Sequence, residues 1–530
     1  MLTRLAGRIA RLRGWRSRLV AFLAGAILAL AQPPYDFLLI GFVAFPLLVW
    51  LLDGAEAEGG FLPRLLPSAM IGWWFGFGYF VSGLWWIGQA LLVDAEEFAW
   101  ALPLAVLGLP AFLAFFYAFA TAIARLLWSE GLGRIFALAF GFALAEWLRS
   151  FLFTGFPWNA LGYALAPTPM LMQSIAVIGF VGLTGLGVLI FSAPALLTGG
   201  RGSRAGLALA SVLLLAHIGY GKWVLSHAPA INAASDGPVI RIVQPSIEQS
   251  LKWDNQARRA IFDRLITLTE TPPAPGMPRP DIVVWPETSV PYILTSTPEA
   301  LERIGAALQP GQVLLAGAVR EERRAGDDQP RYFNSITVID DAGRIVDSAD
   351  KLHLVPFGEY LPFERLLRAI GLQEVVEMPG GFTAAAARRS MTVGNNITVL
   401  PLICYEVIFP DELGYSGAPV QSIVNITNDA WYGDTPGPYQ HFRQAQLRAV
   451  EQGLPVIRVA NNGLSAVIDP FGRISAGLLL NDVAVKDTFL PRQVAPFWGS
   501  APNDNQVVIT LFLLLVISVA FRKVFGGPVR

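Results

Sequence analysis

The sequence predicts a multi-span α-helical membrane bundle of about eight transmembrane helices, joined to a layered α/β domain outside the cytoplasm. Three observations predict it. Hydrophobic residues make up 54% of the 530-residue chain and charged residues only 15%, which is too apolar for an ordinary soluble protein. The apolarity is concentrated in residues 17–221 and in a final run at 507–520, whereas 239–490 has globular composition. Within that middle stretch, short β-rich runs alternate with longer helical patterns, the texture of an α/β domain.

In chain order the candidate spans are 18–31, 36–52, 68–93, 98–127, 134–153, 170–197, 205–221 and 506–521. The first is short for a hydrocarbon core of ~30 Å. It follows six arginines (Arg4, Arg8, Arg11, Arg13, Arg16, Arg18) and ends in Ala29, Leu30 and Ala31, so it also reads as a signal peptide. Cleaved or retained, it leaves the α/β domain on the same side. Arg64, Arg125, Arg134, Arg201, Arg204, Arg522 and Lys523 share the side of the N-terminal arginines, and the opposite connections carry acids such as "DAEE" at 94–97. Arg149 alone breaks the pattern. The positive-inside rule therefore places 222–505 outside the cytoplasm, the periplasmic face of a bacterial inner membrane. The expected organisation is a membrane domain over 1–221, a linker over 222–238, an α/β domain over 239–495 and a closing span over 506–521.

Composition also excludes some functions. Net charge is −1 and the only basic cluster is N-terminal, which leaves no nucleic-acid surface. Transporters need charge inside the bundle; here Glu146 and His217 are the notable candidates, and both fall near the outer ends of their spans. The single cysteine, Cys404, forms no internal disulfide and holds no metal alone. Neither metal nor cofactor is expected.

The α/β domain reads as strands in "VIRIVQPS", "DIVVWPE", "VLLAGAV", "SITVID", "TVLPLICYE", "SIVNITND", "PVIRVANN" and "SAVIDPFGRI", with a Pro-rich surface loop at 271–280. Three strand ends carry chemistry: Glu287 closes "VVWPE", Lys351 opens "KLHLVPFGEYLP", and Cys404 closes "LPLIC". A thiolate attacks a carbonyl, a carboxylate takes the thiol proton, and an ammonium neutralises the oxyanion. "YEVIFPDEL" reads as a turn into a helix whose dipole lowers the thiol pKa. Each residue also has a plain structural reading: Glu287 as a helix cap, Lys351 as a surface charge, Cys404 as core.

The surrounding words distinguish these readings. "WPE" at 285–287, "KLHLVPFGE" at 351–359, "CYE" at 404–406 and "NDAWYG" at 428–433 resemble the nitrilase superfamily. With a membrane bundle before and one span after, the whole chain resembles the membrane-embedded lipoprotein N-acyltransferases of that superfamily. The resemblance implies an αββα sandwich with Glu287 as general base, Lys351 as oxyanion stabiliser and Cys404 as nucleophile. It implies an acyl chain passed from a phospholipid, typically phosphatidylethanolamine, through a Cys404 thioester to the α-amino group of a diacylglyceryl-cysteine apolipoprotein. A monomer working in the membrane is expected.

Neighbouring residues offer support. Glu359 is expected to support the oxyanion side, to orient Lys351 or to end a turn, and Tyr405 and Glu406 to shape the nucleophile's pocket or to pack the core and cap a helix. By the resemblance, Asn334 in "YFNS" and Trp253 in "LKWD" fit substrate or loop positions; Trp431 reads as a wall facing the acyl chains or as an aromatic core plug. His353 reads as structural. Residues 363–382 have an apolar face with little to bury it, and read as an arm dipping toward lipid. A membrane-tethered amidase of the superfamily would use the same trio with water as acceptor, but eight spans exceed what a tether needs. A silent lipoprotein-binding module is disfavoured by the intact trio.

Overall fold

Where the apolar runs are long the chain is helical, and where they shorten it is layered. The computed structural model describes residues 1–56, 60–231, 237–252, 256–323, 329–369, 375, 381–394, 396–410, 413–497 and 504–525. The chain divides into two units: Met1–Gly88 with Trp100–Ala228 and Pro496–Arg530, and Pro229–Ala495 with the short segment Gln89–Ala99.

In the first unit a helix falls on each predicted span. Among the described residues, five are long and apolar enough to cross a membrane: Ala95–Leu126, Leu132–Thr154, Ile175–Thr198, Ser203–His227 and Asp504–Val524. The other three fall short of that standard. Trp15–Leu28 and Gly41–Asp53 have 14 and 13 residues, below the ~20 that a rise of ~1.5 Å per residue requires. Phe61–Leu84 is long enough, but its glycines and tryptophans dilute its apolarity. Close packing comes from small residues. A Cβ on Gly25 would lie 1.8 Å from the Phe75 carbonyl oxygen and one on Gly78 would lie 2.0 Å from that of Phe22, so these two helices meet backbone to backbone.

Glu146, Arg149 and His217 are hydrogen-bonded inside this unit. Tyr117 donates to Glu146 Oε1 at 2.7 Å, and Arg149 donates to Glu146 Oε2 through Nε at 3.1 Å and also through Nη2. Arg149, the exception to the arginine asymmetry, is thus half of a fully buried pair rather than a surface charge. His217 Nδ1 meets Ser174 Oγ at 2.8 Å and its Nε2 meets the Leu165 carbonyl at 3.1 Å.

Among the described residues the second unit holds twelve strands: β1 Val239–Gln244, β2 Ile282–Val284, β3 Val313–Glu322, β4 Arg331–Asp340, β5 Ile345–Asp350, β6 Met391–Val393, β7 Ile397–Ile403, β8 Ser422–Thr427, β9 Val456–Ala460, β10 Ser465–Ile468, β11 Ile474–Leu478 and β12 Ala484–Phe489. They form two six-stranded sheets, ordered β12-β1-β2-β3-β4-β5 and β11-β10-β9-β8-β7-β6. β1, β2 and β3 run parallel, as do β7, β8 and β9. One core joins the inner faces, with Ile240, Val284, Leu315 and Val338 from one sheet and Val399, Ile426, Val459 and Val467 from the other. A second packs Val283, Leu314 and Trp285 under Phe262 and Leu265 of helix Arg258–Thr269 and Ile304 of helix Pro298–Ala307. The buried helix Pro436–Gln452 serves the second sheet. The result is the αββα sandwich that the resemblance implies.

Two expectations need correction or restriction. Directly after Cys404 the described residues form the one-turn 3-10 helix Cys404–Ile408 and not an α-helix, which supplies little dipole. Of the arm at 363–382, the described part is the six-residue helix Glu364–Ala369 with its flanks and residue 375. The stretches 370–374 and 376–380 lie outside the described residues, as does Trp253.

Candidate active site

The carboxyl ends of the strands in an open α/β sheet gather polar residues, and three such ends converge here. Glu287 stands three residues beyond β2, where Gly317 of β3 lets the backbone pass. A Cβ on Gly317 would lie 2.1 Å from the Pro286 carbonyl oxygen. Ser289 N donates to the Gly317 carbonyl at 2.9 Å, which fixes the turn. Lys351 follows β5 directly, its N–H donating to the Asn334 carbonyl at 2.8 Å. Cys404 follows β7 with φ of +51°, a left-handed conformation that costs a non-glycine residue about 1–3 kcal/mol and marks functional sites.

The side chains form one connected, buried set. Lys351 Nζ donates to Glu287 Oε1 at 3.4 Å and to Glu359 at 3.0 Å (Oε1) and 2.9 Å (Oε2). Asn334 Nδ2 donates to Glu287 Oε1 at 2.7 Å and Glu359 Oε1 at 3.0 Å. Val355 N donates to Glu359 Oε2 at 2.9 Å. Two carboxylates therefore flank one ammonium, and an amide bridges them. Burial works against the Lys351 ammonium, but Glu359 and then Glu287 outweigh it and hold the lysine above its ordinary value. Burial first and the Glu287 carboxylate second push the Cys404 thiol up to about 12, against the pull of Lys351. The expected lowering of the thiol is thus reversed, because desolvation by a closed pocket exceeds what one helical turn supplies.

Glu406 acts as a staple. It accepts from Ile403 N at 2.6 Å, Leu352 N at 2.9 Å, His353 N at 3.1 Å and Arg388 Nη2 at 2.9 Å. It thereby ties the segment after Lys351 to the strand that ends at Cys404. Burial opposes its charge, but Arg388 and the backbone donors hold its carboxyl below the ordinary value. Tyr405 packs edge-on to Phe409 at 5.0 Å and to His353 at 5.6 Å, and His353 stacks on Phe409 at 4.0 Å. Trp431 sits half-buried in the turn Asp429–Tyr432.

Sequence reasoning passed over Lys252. It is 1% exposed, and its Nζ donates to the Glu287 carbonyl at 2.9 Å and to Thr288 Oγ1 at 2.8 Å. Thr288 has φ of +42°, an outlier for a β-branched residue, so Lys252 braces the strained turn that aims Glu287. Burial lowers its ammonium to about 8, against the pull of Glu287 and Cys404. A signal was available. The chain has only five lysines among 39 basic residues, and the α/β segment has three, Lys252, Lys351 and Lys486. A lysine chosen where arginine is the habit is chosen for its compact, titratable head.

Chemically, the set can accept a proton at Glu287, hold a cation opposite a developing oxyanion at Lys351 and offer a sulfur at Cys404. Among the described residues no group of side chains could hold a metal ion.

Comparison with known proteins places this chain. The apolipoprotein N-acyltransferase N-terminal domain matches residues 24–193, and the carbon-nitrogen hydrolase family matches residues 239–482. A protein of Brucella suis biovar 1 (strain 1330) called apolipoprotein N-acyltransferase is 67% identical over 98% of each chain. One of the same name from Rhizobium rhizogenes (strain K84 / ATCC BAA-868) is 55% identical over 97% of this chain and 96% of its own. Among solved structures, an amidase from Nesterenkonia sp. AN1 is similar at 17% identity, covering 50% of this chain and 94% of that one with a TM-score of 0.33.

Proposed function

Because the chain belongs to the apolipoprotein N-acyltransferase family, we propose that it carries an acyl chain from a membrane phospholipid of the phosphatidylethanolamine kind to the α-amino group of a diacylglyceryl-cysteine apolipoprotein. The transfer runs through a thioester on Cys404. The observation that supports this most is the buried Glu287–Lys351–Glu359 cluster whose charges act on a strained cysteine.

Cys404 Sγ attacks the ester carbonyl carbon while its proton passes to Glu287. The carbonyl electrons move onto oxygen, where Lys351 meets them; one such donor is worth about 2.7–4 kcal/mol. Collapse breaks the ester C–O bond, and the lysophospholipid alkoxide leaves with the proton from Glu287. In the second half the acceptor's neutral amine attacks the thioester, Glu287 takes a proton from nitrogen, and the C–S bond breaks to give the amide. Sulfur then recovers the proton. Glu359 and Asn334 keep Lys351 and Glu287 in register, Glu406 holds the two loops together, Tyr405 packs beside the nucleophile, and Trp431 lines the path of the acyl chains. The reaction takes place at the periplasmic face of the inner membrane, where the arginine asymmetry puts the α/β domain.

The test is intact mass after exposure to phospholipid without acceptor. One added acyl chain, removable by neutral hydroxylamine, is expected. A diacylglyceryl-cysteine peptide with a free amine should discharge it, and an N-acetylated peptide should leave it in place. Free fatty acid without a trapped adduct, indifferent to the peptide, would favour hydrolysis instead.

A further inference from the structure

Behind Cys404 lies a second buried cluster to which the transfer steps above give no task. His441, on the helix Pro436–Gln452, is fully buried. Its Nδ1 is 2.9 Å from Asp429 Oδ1 and its Nε2 is 3.1 Å from the Cys404 carbonyl oxygen. Arg458 Nη2 donates to Asp429 Oδ2 at 2.8 Å, and Thr427 Oγ1 donates to Asp429 Oδ1 at 3.0 Å. The ring of Tyr432 stands edge-on to the imidazole at 6.0 Å. Gly463 makes room for the acid, since a Cβ there would lie 2.2 Å from Asp429 Oδ2.

Both partners of the imidazole are acceptors. A carbonyl oxygen only accepts, and Arg458, against the cost of burial, keeps the Asp429 carboxyl below its ordinary value and therefore ionised. Each contact is a hydrogen bond only if the nitrogen that makes it carries a proton. Burial and then Arg458 pull the imidazole toward neutrality, and Asp429 pulls it back. A neutral ring serves one acceptor. The one whose loss would tell on the reaction is the Cys404 carbonyl, because it belongs to the residue at φ +51°. Asn425 Nδ2 also donates to that carbonyl, at a long 3.5 Å.

We propose that His441 is a positioning residue for acyl transfer: its Nε2–H holds the Cys404 carbonyl, and the nucleophile's left-handed backbone is thereby fixed. This rests on Cys404 being the acyl carrier. The imidazole faces the backbone of the cysteine, so its task differs from that of a histidine that takes the thiol proton; that proton goes to Glu287.

The test uses full-length protein in nanodiscs with phosphatidylethanolamine and single-turnover mass spectrometry, which reads rate and amplitude separately. A buried carbonyl that loses its shortest side-chain donor is held less firmly. His441→Ala should therefore slow acyl-enzyme formation by about 10–100-fold, with the final acylated fraction unchanged. His441→Gln, whose amide can still donate, should recover part of that rate. A purely structural role would lower the amplitude and leave the rate of the folded fraction alone, and a wild-type rate at full amplitude would equally overturn the proposal. Should neither variant fold, the wild type decides. With a single cysteine, [13C′]Cys labelling marks one carbonyl, and [15N]His labelling should show one protonated ring nitrogen dipolar-coupled to it. An unprotonated nitrogen at that carbonyl, or no coupling, would refute the proposal. Cys404→Ala run alongside keeps the failures apart, since transfer surviving in that variant would sink the nucleophile assignment whatever the histidine does.

Discussion

Glu287→Gln should make the enzyme worse at its reaction and its cysteine better at another. In the resting protein the Cys404 thiol lies at about 12, so at pH 8 about one sulfur in 10⁴ is ionised. Burial accounts for most of this and the Glu287 charge for the next share. Glutamine keeps an oxygen for Asn334 Nδ2, now at 2.7 Å from Glu287, and removes the charge. At an effective dielectric near 20, a carboxylate about 6–8 Å away is worth about 2–3 kcal/mol to a thiolate, or roughly two pKa units. Thiolate then rises about a hundredfold, while its intrinsic nucleophilicity falls by roughly six- to tenfold. Iodoacetamide should therefore alkylate the variant about ten times faster than wild type at pH 8. Acyl-enzyme formation, deprived of its proton acceptor, should fall by about 10²–10⁴. Alkylation followed by intact mass and acylation followed on the same samples give both numbers. If both rates fell together, Glu287 would act on the resting thiol as a base and not as a charge, and the electrostatic account would be wrong.

The wild-type alkylation rate should climb about tenfold per pH unit through pH 10 without a plateau, because raising pH ionises a thiol that titrates near 12; a plateau below pH 9 would contradict the burial. Cys404→Ala should abolish transfer with thermal unfolding little changed, since one small thiol contributes little to so large a core. Lys351→Met should slow acyl-enzyme formation by about 10²–10³ and destabilise the domain by about 3–5 kcal/mol, because Glu287 and Glu359 lose the ammonium that lies 3.4 and 2.9 Å from them. A variant that unfolds at the wild-type temperature would mean the ammonium is not what holds them. A cysteine at Ser226 in the Cys404→Ala background should react with an impermeant maleimide outside intact spheroplasts, and one at Ser203 only after lysis; the reverse would move the α/β domain to the cytoplasm.

Fold and site were legible to different depths. Eight strands announced themselves as apolar runs, and the strands without a run of their own were β5, β6, β11 and β12, the four outer edges of the two sheets. β5, with Ile345 and Val346 exposed and Asp347 and Ser348 half-buried, shows why. An edge strand is covered on fewer sides, so its composition need not be apolar and its periodicity carries little signal. In the membrane unit, apolar length located a helix for each of the eight spans but overstated what Trp15–Leu28 and Gly41–Asp53 can span alone. At the site, residues inside short motifs were readable, because strand ends are where α/β sheets present polar groups. Lys252 and His441 were not, since each acts on a backbone carbonyl more than thirty residues away, at Glu287 and Cys404. A sequence displays side chains and hides which carbonyls need a donor. The sign of the thiol shift was missed for a related reason: a turn can be read locally, but desolvation is a property of the whole pocket.

A thiol held near 12 looks ill-suited to a step in which thiolate must leave, yet the value belongs to one charge state of the cluster. It describes Cys404 beside an ionised Glu287. On the proposed path sulfur carries negative charge only after Glu287 has taken a proton, from the thiol in the first half and from the acceptor amine in the second. The negative charge moves between carboxylate and sulfur while the Lys351 ammonium, 3.4 Å from Glu287, stays in place, so the cluster's net charge is constant through each step. A buried site of low dielectric favours such a transfer over one that creates new charge. The same coupling explains why glutamine at 287, a permanent stand-in for the protonated acid, should ionise the thiol more readily while denying it anywhere to send the proton.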